Sequence, residues 1–320
     1  MAKKISVLGC GRWGTFIGWY LDRIGKEVTI YGRAASGNMA ELQATRANKY
    51  LKLTDSVTLT SDLSQAVAAE QIVIAVNAQG LRELMVELAP LELKNKTFIL
   101  CMKGVEIATG QRLTEIVAEN CHASNKVAVW LGPGHVQEFT RGIPNCMVID
   151  SQDEAIKKEL VDSFSSELIR FYYGNDLLGN EIGAAAKNIM GIAAGMLDGK
   201  GVSSLKGALM SRGTREVARL IKAMGGNELS AYGLCHLGDY EATVFSQFSH
   251  NRCFGEAYVR GEKFTSLAEG YYTVKALKEL GEKYQADLPI CNAVYTILYE
   301  GGDADETLRS LFLRSLKREF

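Results

Sequence analysis

Lys187 lies in Gly183-Ala184-Ala185-Ala186-Lys187-Asn188-Ile189-Met190-Gly191, with no other charge between Glu181 and Asp198. On a helix, its same-face neighbours Gly183, Ala184, Gly191 and Ala194 are all small. A lysine buried there has its pKa depressed toward the range useful for general acid–base work, and the small face leaves space for a substrate and a cofactor. A helix lysine snorkelling to solvent is the plain alternative. Lys103, in Cys101-Met102-Lys103-Gly104, directly follows a predicted strand and could hold a phosphate or a carbonyl oxygen; a solvated loop lysine fits the position equally. His236-Leu237-Gly238-Asp239 and Ser249-His250-Asn251-Arg252 bracket an irregular stretch, Tyr240 to Phe248. Asp239 near a catalytic lysine would stabilise its charge and orient it, and Ser249, Asn251 and Arg252 could hold phosphate oxygens. Surface loops would carry the same residues. Gly132-Pro133-Gly134 could admit a ligand to bare backbone, or serve a turn alone. The four histidines, 122, 135, 236 and 250, have no HxH or HExxH spacing, so no metal site is expected.

Gly9-Cys10-Gly11-Arg12-Trp13-Gly14 follows the first predicted strand and opens a helical pattern, which is the setting a GxGxxG turn requires to bind a dinucleotide. The first glycine permits the turn, the second lets pyrophosphate approach the backbone, the third lets helix and strand pack closely, and the helix N-terminus attracts the anion. An acidic residue usually ends the second strand of an NAD site, yet this segment reads Ile30-Tyr31-Gly32-Arg33. With no carboxylate there to repel a 2′-phosphate and Arg33 available to pair with one, NADP(H) or dual use is favoured over strict NAD(H). An ordinary surface arginine fits Arg33 as well.

The elements that must position these groups alternate. Strands are predicted at 5–8, 27–31, 71–76, 97–101, 127–131 and 146–149, separated by helical segments 14–25, 38–48, 63–69, 80–88 and 110–120. A further helix at 153–168 and strand at 169–173 could close the sheet. The fold class is α/β: an N-terminal Rossmann-type, doubly wound parallel sheet over residues 1–178, then an all-α substrate-binding and catalytic domain over 179–320. Helices are predicted there at 179–199, 205–224, 266–284 and 290–299. A length of 320 residues favours two domains, and 47% hydrophobic with 23% charged residues excludes long disorder. Thirty-six basic against 37 acidic residues give a net charge of −1, so no nucleic-acid or membrane-surface partner is expected. No run approaches the roughly 18 apolar residues of a membrane span. Seven scattered cysteines without a CxxC pair suit a reducing cytoplasm. Apolar helices in the second domain are compatible with a homodimer.

Taken in order along nearly the whole chain, these residues resemble the bacterial-type NAD(P)-dependent glycerol-3-phosphate dehydrogenase family. The resemblance is carried by Gly9 to Gly14 with its aromatic Trp13, Lys103-Gly104, Gly132-Pro133, Glu181-Ile182-Gly183 through Lys187-Asn188, Asp198-Gly199, Ser211-Arg212-Gly213, Leu237-Gly238-Asp239, Asn251-Arg252, Phe254-Gly255 and Glu269-Gly270-Tyr271. It implies reversible hydride transfer between NAD(P)H and dihydroxyacetone phosphate, giving sn-glycerol 3-phosphate for phospholipid synthesis. By matching position it implies Lys187 as general acid or base, organised by Lys103 and Asp239. The substrate, a phosphorylated small molecule, would meet Lys103, Gly132, Gly134, Lys187, Asp239, Thr243, Ser249, His250, Asn251 and Arg252. The cofactor would meet Gly9, Gly11, Arg12, Trp13, Gly14, Arg33, Lys103, Val136, His250 and Glu269.

Departures from the family pattern are equally specific. His250 replaces an arginine that bridges substrate phosphate and cofactor, so a permanent cation becomes a titratable one and activity is expected to fall above about pH 7. Arg252 could compensate from two positions away. Gly134 replaces a Ser or Thr, Asn77-Ala78 replaces a Pro-Ser, and Val202-Ser203-Ser204 is shorter than the usual glycine-rich loop. These changes leave two alternatives open: a related dehydrogenase acting on another small carbonyl or hydroxy compound, and an NADP(H)-binding sensor without turnover.

Overall fold

The computed structural model describes residues 3–311 and 313. The chain divides into two compact units, one comprising 1–102 and 111–177, the other 103–110 and 178–320. The segment that begins at Lys103 thus packs with the second unit, although the sequence boundary was expected near 178.

The first unit is an eight-stranded sheet. Its elements in chain order are β1 (Lys4–Leu8), α1 (Arg12–Arg23), β2 (Glu27–Tyr31), α2 (Gly37–Thr45), β3 (Thr58–Thr60), α3 (Leu63–Ala66), β4 (Gln71–Ile74), α4 (Leu81–Leu88), β5 (Thr97–Leu100), α5 (Leu113–Asn120), β6 (Lys126–Leu131), α6 (Val136–Phe139), β7 (Asn145–Ser151), α7 (Glu154–Phe164) and β8 (Ile169–Tyr173). The strand order is β3-β2-β1-β4-β5-β6-β7-β8. Strands β4 and β5 are buried at every position, as strands covered on both faces must be. Side-chain caps fix several helix starts: Asp62 accepts from Ser64 and Gln65 backbone N–H groups, and Asp153 from that of Ile156.

The β7–β8 edge corrects the expectation of an all-parallel sheet. Strand β7 runs antiparallel to β6, pairing Trp130 with Ile149, and β8 then lies parallel to β7 at the sheet edge. Strand β3, parallel to β2, adds to the expected strands; its three residues, two of them threonine, leave no readable alternation.

The second unit is helical, with α8 (Leu177–Gly199), α9 (Lys206–Ala223), α10 (His250–Arg260), α11 (Glu269–Lys283), α12 (Pro289–Tyr299) and α13 (Ala304–Ser310). Helix α8 is buried from Gly179 to Leu197. Its core joins Ile182, Ile189, Met190 and Ile192 to Val105, Leu220, Val274, Leu277 and Val294. The polar cluster Ser249 to Arg252 opens helix α10 in the structure: its N-cap Ser249 accepts from the Arg252 backbone N–H, and Gly261 ends the helix at φ 70°. The stretch expected to be irregular contains one wide π-helical turn, Glu241–Phe245.

The small residues of α8 have a different purpose from the one expected. A Cβ at Gly195 would stand 1.9 Å from the Arg252 carbonyl oxygen, and one at Gly191 2.7 Å from Thr243 Cγ2. From the opposite helix, a Cβ at Gly255 would stand 2.1 Å from the Ile192 oxygen. Gly183 faces His236, Gly191 faces Thr243 and Asn251, and Gly195 and Gly255 bring the backbones of α8 and α10 together, so these glycines serve close packing rather than open space. Gly255→Ala is therefore expected to destabilise the second unit: overpacking against backbone costs about 1–3 kcal/mol, which outweighs the roughly 1 kcal/mol gain in helix propensity. Urea unfolding followed by helical circular dichroism should show a lower midpoint; an unchanged or higher one would exclude this close helix contact.

Candidate active site

In the first unit, the glycine turn joins β1 to α1. Gly9 adopts φ 120°, and a Cβ there would be 2.4 Å from the Ala75 oxygen; a Cβ at Gly14 would be 2.0 Å from the Gly9 oxygen. Both glycines are demanded by packing. Gly11 differs, since nothing lies within 4 Å of its Cβ position, and no side chain caps the start of α1. An uncapped helix N-terminus with open space over its N-cap glycine fits a dinucleotide pyrophosphate. Arg12 is half-buried beside it. Trp13 packs on Phe16 and Phe139, with ring centroids 5.0 and 6.4 Å away, and Val136 is buried in the same core.

Arg33 is not waiting unpaired. Its Nη2 donates to Glu87 Oε1 at 2.7 Å and to Glu83 Oε1 at 3.1 Å. The expectation that no carboxylate borders this position is corrected: the acids come from α4, fifty residues along the chain, where local reading of β2 does not reach. Gly132 and Gly134 both have left-handed φ, 125° and 144°, and a Cβ at Gly134 would meet the Phe139 ring at 2.3 Å. Glycine in place of Ser or Thr is thus what this backbone and this phenylalanine require.

In the second unit, three elements bring the charged groups together. Lys187 projects from mid-α8, Lys103 from the 103–110 segment, and Asp239 from a 3-10 turn, Leu237–Asp239. Asp239 Oδ2 accepts from Lys187 Nζ at 2.7 Å and from Lys103 Nζ at 2.7 Å. Lys187 also donates to Thr243 Oγ1 at 2.9 Å, and Thr243 in turn donates to the Asp239 carbonyl at 2.7 Å. Asp239 Oδ1 is buried without a hydrogen-bond partner among the described residues. Burial lowers the Lys187 pKa to about 8; the Asp239 charge opposes this and the neighbouring Lys103 charge adds to it.

The turn bearing Asp239 is pinned from below. His236 is fully buried, with Nδ1 2.8 Å from the Gly183 carbonyl and Nε2 2.8 Å from the Tyr240 hydroxyl. A carbonyl only accepts, so Nδ1 carries the proton and Nε2 accepts from Tyr240. Burial lowers the His236 pKa to about 4, keeping the ring neutral. Asn188 belongs to the Lys187-Asn188 motif, to which the sequence assigns no role for the amide. Its Nδ2 donates to the Lys103 carbonyl at 3.1 Å, its Oδ1 accepts from Asn251 Nδ2 at 3.0 Å, and Asn251 Oδ1 accepts from the Gly270 N–H at 2.9 Å. This chain of amides ties the Lys103 segment to α8, α10 and the start of α11, where Glu269 stands. The sequence signal for Asn188 is its place beside Lys187 in the motif that carries the family resemblance.

The structure does not gather all the expected phosphate ligands. Arg252 Nη1 donates to Asp198 at 2.6 Å and Glu256 at 3.0 Å, and Nε to the Ser246 carbonyl. Its guanidinium is committed to holding α8 and α10, which corrects the expectation that it replaces the missing arginine. Ser249 is buried as the cap of α10. His250 Nδ1 lies 3.2 Å from the Leu267 carbonyl, and its ring meets Phe264 edge-on.

Comparisons with known proteins match both halves of the chain. Residues 4–157 match the family described as NAD-dependent glycerol-3-phosphate dehydrogenase N-terminus, and residues 176–309 its C-terminus. A Bradyrhizobium sp. (strain ORS 278) protein named glycerol-3-phosphate dehydrogenase (NAD(P)+) is 37% identical over 324 residues, 99% of this chain and 98% of the relative. One of the same name from Thermoanaerobacter sp. (strain X514) is 35% identical over 99% of this chain and 98% of its own. The crystal structure of glycerol-3-phosphate dehydrogenase from Coxiella burnetii superposes with a TM-score of 0.90 at 28% identity, covering 98% of this chain and 99% of that one.

The depressed Lys187 pKa has a measurable sign. Between about pH 8 and the unfolded-state lysine range near pH 10.5, the folded chain binds fewer protons at this site than the unfolded chain, so its contribution to stability rises with pH across that window. Subtracting the unfolding free energy of Lys187→Met from that of the native chain should give a difference that moves in favour of the native chain from pH 8 to 10. A flat difference would mean that Lys187 titrates like an exposed lysine.

Proposed function

The chain belongs to the NAD-dependent glycerol-3-phosphate dehydrogenase family, and on that premise we propose that it catalyses reversible hydride transfer between NAD(P)H and dihydroxyacetone phosphate, giving sn-glycerol 3-phosphate for glycerophospholipid synthesis. The observation that carries this reading is the cluster in which buried Asp239 holds buried Lys187 and half-buried Lys103. When bound, the reduced dinucleotide supplies the hydride. The backbone of Gly9 to Gly14 and the uncapped start of α1 would hold its pyrophosphate, with Arg12, Trp13, Val136 and Glu269 as proposed neighbours of the cofactor.

Reduction of a ketone needs a proton at the oxygen that becomes the hydroxyl. Lys187 Nζ has three hydrogens; Asp239 and Thr243 take two, and the third serves the substrate oxygen. A pKa of about 8 lets the same group donate in reduction and accept in oxidation near neutral pH. Lys103 adds a second positive charge to stabilise the developing alkoxide, and Asp239 keeps both ammonium groups in place. With Arg252 engaged elsewhere, the substrate phosphate falls to His250, the remaining Asn251 N–H and the backbone at the start of α10, Ser249 supporting that turn. Gly132 and Gly134 act through backbone shape. A sensor without turnover would have no use for a buried lysine and a half-buried one sharing one buried carboxylate.

We also propose a cytoplasmic setting, which suits seven scattered cysteines without a CxxC pair, and a homodimer, with which the apolar helices of the second unit are compatible; no described helix is long and apolar enough to cross a membrane.

Purified protein should oxidise NADH or NADPH when given dihydroxyacetone phosphate. Lys187→Ala should lower kcat by about 100-fold or more, the scale of a lost general acid, while still binding NADH. Full turnover by that variant, or no oxidation by the native chain with either dinucleotide, would overturn the reading. Across pH 6 to 8.5, kcat/KM for the reduction should decline toward the alkaline end as Lys187, whose pKa burial lowers to about 8, loses the proton it donates; a profile flat to pH 8.5 would remove Lys187 from that role.

A further inference from the structure

At the carboxyl end of β2, where dinucleotide sites meet the adenine ribose, this chain offers Tyr31, Gly32 and Arg33. The usual acid is missing from that strand. Glu83 and Glu87 lie four residues apart on one face of α4, and both reach the guanidinium of Arg33. Glu87 also raises the Tyr31 pKa, second to burial as a cause, so its charge is felt at the end of β2 itself.

Resting on the dinucleotide reading above, we propose that Glu83 and Glu87 supply from α4 the carboxylates that β2 lacks, with Arg33 as the group that aims them, so that the site selects NAD(H) over NADP(H). A ribose 2′-hydroxyl is a neutral donor, and a carboxylate is its ordinary acceptor in NAD sites. A 2′-phosphate brings about −1.5 to −2 charges at neutral pH. Arg33 could turn from its glutamates to the phosphate, since exposed ion pairs cost little to break. The local charge count nevertheless decides: one guanidinium would then face two carboxylates and a near-dianion, all within a Debye length of about 8 Å at 0.15 M salt. NADP sites have an arginine free to clamp that phosphate; here it begins already neutralised. This reverses the cofactor preference that β2 alone suggested.

The test is binding by isothermal titration calorimetry with the full chain, which needs no turnover. NADH should bind at least about tenfold tighter than NADPH at low salt, equivalent to about 1.4 kcal/mol. The gap should narrow as salt screens the exposed charges. In E83Q/E87Q, whose side chains lie on the surface, NADPH affinity should rise about tenfold while NADH affinity stays level or weakens. Adding Arg33→Ala to that variant should cancel the gain for NADPH. The pair 2′,5′-ADP and 5′-AMP should repeat the pattern without the nicotinamide half. Equal or tighter NADPH binding by the native chain, or an unchanged ratio in E83Q/E87Q, would overturn the proposal and leave the dehydrogenase reading intact. Failure to bind either dinucleotide would overturn both.

Discussion

Everything in the second unit is arranged around one buried carboxylate oxygen, Asp239 Oδ2, shared by two ammonium groups at equal distances. Burying Asp239 and Lys187 is costly unless each has partners, and removing one partner would leave another charge stranded. The surroundings answer that requirement at several levels. Thr243 bridges Lys187 back to the Asp239 carbonyl, His236 fixes the turn beneath, and Asn188 holds the backbone of Lys103. The cluster still carries two cations on one anion, and it therefore favours a substrate that brings negative charge. A phosphorylated ketone that becomes an alkoxide does so twice.

A second buried carboxylate in the same unit shows how partners determine role. Glu216 accepts the backbone N–H groups of Ile290 and Cys291, each at 2.8 Å, at the start of α12 beneath Pro289. Its partners are peptide dipoles rather than whole charges. Burial raises its pKa to about 7, against the opposing pull of those two N–H groups. Glu216 anchors a helix, and needs only to accept. Asp239 must hold two lysines against their own repulsion, for which dipoles would not suffice.

Local groups were legible in the sequence where one element supplies all the information. The glycine turn could be read because strand, turn and helix are contiguous, and Lys187 because a lone charge in an apolar helix is conspicuous. Groups that depend on a distant partner were not. Arg33 read as an available cation until α4 delivered two carboxylates to it. Arg252 read as a phosphate ligand until Asp198, on another helix, took its guanidinium. Strand β7 gave the periodicity of a strand but no sign of its direction, which is set by the short path from β6 through α6.

The stripe of small residues on α8 makes the same distinction in packing. Gly and Ala beside a buried lysine fit two physical situations, an open cavity or a helix pressed close, and composition cannot separate them. Gly191 and Gly195 of α8, with Gly255 of α10, show the second. Close contact brings the start of α10, with Asn251, to Asn188, and so lets one short amide chain reach Lys103. Space given up along α8 is thus converted into rigidity at its lysine. A proton donor needs that rigidity, because a general acid acts only within hydrogen-bond reach of its oxygen.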